Sequence, residues 1–258
     1  MSPHPRTLIA WSLLVVVASC ARHPVPVAAP RPQELAGIIA HLDRTRVRVQ
    51  SFTAEARVTS FGPEGRRRVT VVLAAARPQS LSYQVLGPHG AVLEAFATDG
   101  VEMQLFDTTT RAFRYGPATP DHLATLLGSL ALRQRAADWV GLFFGDIDIP
   151  EQATLVAQSD GDMRVRWLDA ELEHTVRLDA QTLRPVELAV GRPREPPSRV
   201  RITARDDTGL PSTLVIDSPD PARETRIELR DLAIDPALDP QTFRLDPPSG
   251  ALLERLVP

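Results

Sequence analysis

The chain has 258 residues, 29 basic against 32 acidic, and a formal charge of −3. That length suits one all-β domain or two small domains, and the negative charge argues against a nucleic-acid partner. Cys20 is the only cysteine, so no disulfide can form within one chain.

In chain order, His4 and Arg6 precede a mostly apolar run from Leu8 to Val17. The run is too short to cross a bilayer, which takes about 20 apolar residues. A positive start, a short apolar stretch and a small-residue end describe a secretory signal over residues 1–19. The end, Val17-Ala18-Ser19-Cys20, resembles the bacterial lipobox. That resemblance implies cleavage before Cys20 and fatty acylation of that residue; two or more acyl chains anchor a protein stably. Ala21, where an acidic residue would retain the protein at the inner membrane, implies passage to the outer membrane, facing the periplasm. Four prolines between Ala21 and Pro32, with no core pattern, make residues 20–32 a lipidated tether and residues 33–258 the folded domain.

Leu35, Ile38, Ile39 and Leu42 share one helix face, which predicts a helix from Gln33 to about Thr45. The period then drops to two. Phe52, Ala54, Ala56 and Val58 form a first strand, and Gly62-Pro63-Glu64-Gly65 a turn. Val69, Val71, Leu73 and Ala75 form a second strand, which Pro78 ends; Leu81, Tyr83 and Val85 form a third. Gly87-Pro88-His89-Gly90 is a loop, Ala91 to Thr98 a fourth strand, and Asp99-Gly100 a hairpin turn. Val101, Met103 and Leu105 mark a fifth strand and Ala112 to Tyr115 a sixth.

Thr119-Pro120-Asp121 reads as a helix cap, first-turn proline and first-turn acid. It opens a helix with Leu123, Leu126 and Leu127 on one stripe and Gly128 as its stop. A further helix is predicted from Arg133 to Phe144, with Ala136, Trp139, Val140 and Phe143 as its stripe and Gly145 as its cap. Strand patterns return at Met163–Trp167, Thr175–Asp179, Val186–Val190, Val200–Ala204, Thr213–Asp217 and Thr225–Ala233, and Ala251 to Leu256 reads as a last helical turn. The sum is an α+β protein of about eleven mostly consecutive antiparallel strands with its helices grouped.

The stretch Leu81-Ser82-Tyr83-Gln84-Val85-Leu86-Gly87-Pro88-His89-Gly90 resembles the strand and protruding loop of the LolA/LolB-like superfamily. The order that follows, a hairpin, a Thr-Pro-Asp helix start and a tryptophan-bearing helix ending at Gly145, is similar too, as is the ending Phe243-Arg244-Leu245-Asp246-Pro247-Pro248-Ser249-Gly250. The resemblance implies an antiparallel, incomplete β-barrel with a helical lid. Its apolar cavity would take the acyl chains of lipoproteins or lipids, and a LolA-like periplasmic carrier would be a partner. The cavity would be lined by Leu81, Tyr83, Val85, Val101, Met103, Leu123, Leu127, Trp139 and Phe143. Pro88, His89 and Gly90 would form the membrane loop; His89 stands where the superfamily's loop carries a leucine, which weakens insertion of apolar surface. The residues by themselves leave open a solid core in the same place.

No catalytic constellation is apparent. The histidines are scattered without metal-ligand spacing, no Gly-x-Ser-x-Gly elbow occurs, and no cofactor motif is present. Asp146 and Asp148 read as a solvated loop that could also bind a cation, Asp206-Asp207 as a turn, and Arg66-Arg67-Arg68 as a solvated strand end that could also meet lipid phosphates. The expectation is a non-enzymatic, monomeric lipid carrier or receptor, or alternatively an envelope lipoprotein that uses the same fold to contact another protein.

Overall fold

Alternating apolar residues need one buried sheet face, and the chain supplies enough of them to build a single large sheet. The computed structural model describes residues 32–46, 48–63, 65–126, 132–157, 163–219 and 223–257. The signal, Cys20 and the tether through Arg31 lie outside the described residues, as do Leu127 and Gly128.

The first half holds β1 (Ser51–Gly62), β2 (Gly65–Ala76), β3 (Ser80–Leu86), β4 (Val92–Thr98), β5 (Glu102–Asp107) and β6 (Ala112–Pro117). The second holds β7 (Thr154–Ala157), β8 (Met163–Asp169), β9 (Leu172–Leu178), β10 (Pro185–Gly191), β11 (Ser198–Arg205), β12 (Pro211–Asp217) and β13 (Glu224–Ile234), and β14 (Leu252–Arg255) ends the chain. Their spatial order is β14-β6-β5-β4-β3-β2-β1-β13-β12-β11-β10-β9-β8-β7, one open sheet of fourteen strands rather than about eleven. Each half is a run of sequential antiparallel neighbours, and β1 joins them by pairing with β13, Val58 opposite Ile227.

Two strands escaped the sequence reading. β7 has four residues, too few to show a period. β14 occupies the predicted last helical turn, and it is the sheet's parallel element: the N–H of Leu252 donates to the Arg111 carbonyl and that of Leu256 to the Tyr115 carbonyl. The exposed edge of β6 satisfies the backbone of this tail, so a local helix has nothing to add.

Three helices accompany the sheet: α1 (Pro32–Thr45), α2 (Pro120–Leu126) and α3 (Ala136–Phe144). Thr119 caps α2 as its sequence predicts, its Oγ1 accepting from the His122 N–H at 3.2 Å. α3 starts three residues later than predicted, because Arg135 is its cap and Asp138 closes the turn by accepting the Arg135 N–H. Gly145 ends it at φ 71°, in the left-handed region glycine favours.

α3 is buried on nearly every side through Ala136, Trp139, Val140, Leu142, Phe143 and Phe144, the mark of a helix inside a protein rather than on it. It packs on β2 and β3, and Asp138 and Leu142 also share a cleft with Trp167 of β8 and His174 of β9. β3 and β9 stand seven positions apart in the sheet, about 34 Å if it were flat. A helix is only about 10–12 Å across, so the sheet must curl around α3. Phe52 of β1 meets Phe144 edge to face at 5.1 Å in the resulting core.

Candidate functional site

The interior expected to be hollow is occupied by α3. Leu81, Met103, Leu123, Trp139 and Phe143 are buried in one continuous core, with Tyr83 and Val85 packed at its margin. Tyr83 stacks on Phe96 at 5.1 Å and donates its hydroxyl to Glu94 at 2.8 Å. Burial holds both the Tyr83 and the Glu94 pKa above their ordinary values. Val101 is a correction: it is 68 % exposed, because Asp99-Gly100 turns the chain there and β5 begins only at Glu102. Asp99 Oδ1 accepts the N–H groups of both Val101 and Glu102, each at 2.9 Å, which holds Val101 outside. Pro88, His89 and Gly90 do form an exposed turn, with His89 at φ 62°.

A cleft of about 710 Å³ lies elsewhere, and among the described residues none of the eight expected to line a cavity lines it. It opens between α3, the end of α1 with the segment after it, the loop following Gly145, and strands β8 to β10. Leu142, Ile147, Trp167 and Leu188 give it apolar walls, and arginine and aspartate side chains surround them.

Two charged clusters shape the cleft. In the first, Asp146 is not the solvated residue its sequence suggests. Its carboxylate, 13 % exposed, pairs with Arg77 and lies 3.6 Å from Arg46. Arg77 also donates to the Val49 carbonyl at 2.9 Å, and its guanidinium lies 4.4 Å from the centre of the Phe144 ring. This knot ties the β2–β3 turn, the end of α3 and the segment after α1 together. Burial nevertheless holds the Asp146 pKa above its ordinary value, so desolvation outweighs the arginines beside it.

In the second cluster Arg135 donates to Asp138 through Nε at 2.9 Å and Nη2 at 2.8 Å. That pairing holds the Arg135 pKa above its ordinary value, with Asp169 and Asp148 adding to the effect. Asp148 is exposed, as expected. His174 stacks on Trp167 at 5.0 Å between centroids, and burial lowers its pKa, which favours the neutral ring. Among the described residues no serine, threonine, cysteine or tyrosine lines the cleft. Among the described residues no group of three acidic, histidine or cysteine side chains could hold a metal, and no helix is long and apolar enough to cross a membrane.

The residues that sequence reasoning missed are Arg46, Arg77, Trp167, His174 and Leu188. One signal was available: the two-residue turn Ala170-Glu171 sets a hairpin register that places Trp167 opposite His174.

Comparison with known proteins bears on the fold. Neither protein-family models nor curated proteins give a match. Solved structures do, at low identity. A DUF1329 family protein from Desulfovibrio piger aligns with a TM-score of 0.60 and 11 % identity, over 83 % of this chain and 98 % of its own. A LolA superfamily protein from Nitrosomonas europaea gives 0.58 and 13 %, over 81 % and 97 %. An outer membrane lipoprotein-sorting protein domain from Vibrio parahaemolyticus gives 0.58 and 10 %, over 83 % and 97 %. This chain's large, open, mostly antiparallel sheet is the fold shared with proteins of the LolA superfamily.

Proposed function

We propose that this chain is a lipid-anchored envelope protein of the outer membrane that holds an amphiphile, the acyl part of a lipoprotein or a lipid, in the cleft beside α3. The observation that carries this reading is the cleft itself. Its volume of about 710 Å³ falls in the range of small-molecule sites, roughly 300–1,000 Å³. Its walls pair apolar surface from Trp167, Leu142 and Leu188 with a charged rim, which matches a molecule with a tail and a polar head. The lipoprotein-sorting description of one protein with this fold agrees with the reading, as does the lipobox-like end at Cys20. The role is binding and transfer without catalysis, by a monomer, with a LolA-like periplasmic carrier as the donor of cargo.

The test uses the chain purified from membranes. Native mass spectrometry should find co-purified lipid, and an apolar fluorescent probe should bind and be displaced by fatty acid. Trp167→Ala should weaken the probe about tenfold, since losing half-buried apolar surface of that size is worth roughly 1.5 kcal/mol. Cys20→Ser should move the protein out of the detergent phase without changing probe affinity. A chain free of lipid, with probe binding indifferent to Trp167, would sink the cleft reading; unchanged detergent partitioning of Cys20→Ser would sink the anchor.

A further inference from the structure

Strand register collects several turns at one end of the sheet. Thr70 near the start of β2 faces Leu86 at the end of β3, so the β1–β2 tip and the Pro88–Gly90 turn lie at the same end. Glu94 facing Asp107, and Asp107 facing Ala112, bring the β5–β6 turn there too. The N-terminus of β14 joins them, since Leu252 faces Ala112.

This end combines positive charge with exposed apolar surface. Arg66, Arg67, Arg68 and Arg111 are all exposed. Beside them Phe61 is 40 %, Leu93 40 % and Leu252 63 % exposed. The Arg66 guanidinium sits 5.7 Å from the centre of the Phe61 ring, so charge and apolar surface are in contact. Among the described residues, four carboxylates near this end are already engaged. Glu94 takes the Tyr83 hydroxyl, Asp107 takes the N–H groups of Thr109 and Thr110, Glu224 lies 3.8 Å from Arg201, and Glu254 pairs with Arg114 at 2.8 Å. Even counting Glu64, the run from Glu64 to Arg68 keeps two net positive charges in a chain whose total is −3.

We propose that this end of the sheet docks on an anionic lipid bilayer, with Arg66, Arg67 and Arg68 on headgroup phosphates and Phe61 and Leu93 entering the interface. The negative total does not prevent this, because charges more than a Debye length of roughly 8–10 Å away are screened. Arg77, where the cleft begins, lies eleven residues along β2 from Arg66, about 36 Å in an extended strand. The docking end and the cleft are therefore separate surfaces. The tether is long: Pro32 lies twelve positions after Cys20, and an extended chain over that many steps covers up to about 40 Å. An acidic protein would also answer the arginines; the exposed Phe61 and Leu93 beside them favour a surface that has an apolar interior beneath its charge.

The experiment takes the chain from residue 20 onward with Cys20→Ser, so that no acyl chain does the binding. It is sedimented with phosphatidylcholine vesicles, with and without phosphatidylglycerol. Binding should require phosphatidylglycerol and weaken as salt rises. Each arginine near an anionic surface is worth about fivefold, so changing Arg66, Arg67 and Arg68 together to Gln should weaken binding at least tenfold. Changing all three to Lys should keep it within about threefold of the parent, because charge carries the contact. Probe affinity at the cleft should be unchanged in both variants, which separates this surface from the cleft. Equal binding to both vesicle types, full binding by the Gln variant, or loss of binding by the Lys variant would overturn the proposal.

Discussion

Trp139→Ala is expected to destabilise the protein by about 3–5 kcal/mol, the usual cost of truncating a fully buried tryptophan. Trp139 is 2 % exposed on the one helix that the sheet surrounds. In a hollow half-barrel its ring would border empty space, and removing it would cost little beyond its own transfer energy. Here it packs in the same core as Leu81, Met103 and Phe144, which cannot all close the gap it leaves. Its Nε1 has no hydrogen-bond partner among the described residues. Trp139→Phe removes that buried donor together with part of the ring, so its cost should be smaller, below about 2 kcal/mol. Urea unfolding of the three proteins measures the series. A loss under 1 kcal/mol for the alanine variant would show that the interior is not solidly packed.

Arg77→Ala is the second large effect, about 3 kcal/mol at pH 7, because it leaves the Asp146 carboxylate buried with much of its compensation gone. The pH dependence follows from the direction of the Asp146 shift. Its folded-state pKa is already raised by burial, so the stability linked to this group is fully present below the unfolded value and is lost as pH rises through the folded one. Arg77 is the leading group that lowers that pKa. Without it the folded pKa climbs further and more stability is lost on the way to neutrality. The variant should therefore lie closest to wild type below about pH 4 and fall away from it between pH 4 and pH 7. A residual loss of about 1 kcal/mol should persist in acid, from the Val49 hydrogen bond and the Phe144 contact. Urea midpoints at both pH values check this, and a constant gap between the two proteins would show that Asp146 is not the group involved.

Much of the sheet was legible because period-two alternation is a local signal. Phe52, Ala54 and Ala56 alternate in the sequence and are buried in the structure. The turns were equally readable: Asp206 Oδ1 accepts from the N–H and hydroxyl of Thr208 and from the Leu210 N–H, closing the loop its sequence announces. The cleft was not legible, for a different reason. Its walls come from α1, the β2–β3 turn, α3 and β8–β10, and only the curl of the sheet brings these together. An aspartate two residues past an apolar helix reads as solvated, and nothing local places Arg77, sixty-nine positions away, against it. The apolar stripe of α3 was visible, but a stripe states that residues are buried without stating whether they face neighbours or a void.

The pairing of β1 with β13 carries a consequence for how the chain matures. Within the runs β1 to β6 and β7 to β13 every neighbouring pair is joined by a short connection and can form from local sequence, while β14 on β6 is a second long-range pair. The seam between the halves is closed by residues such as Ser60 and Thr225, 165 positions apart. Non-local pairing has to pay its loop entropy before any contact returns it. The two meanders can therefore take shape early, while the wrapping of α3 waits for β13, Glu224–Ile234. Until Thr225 has been made, 165 positions after Ser60, the interior cannot lock shut.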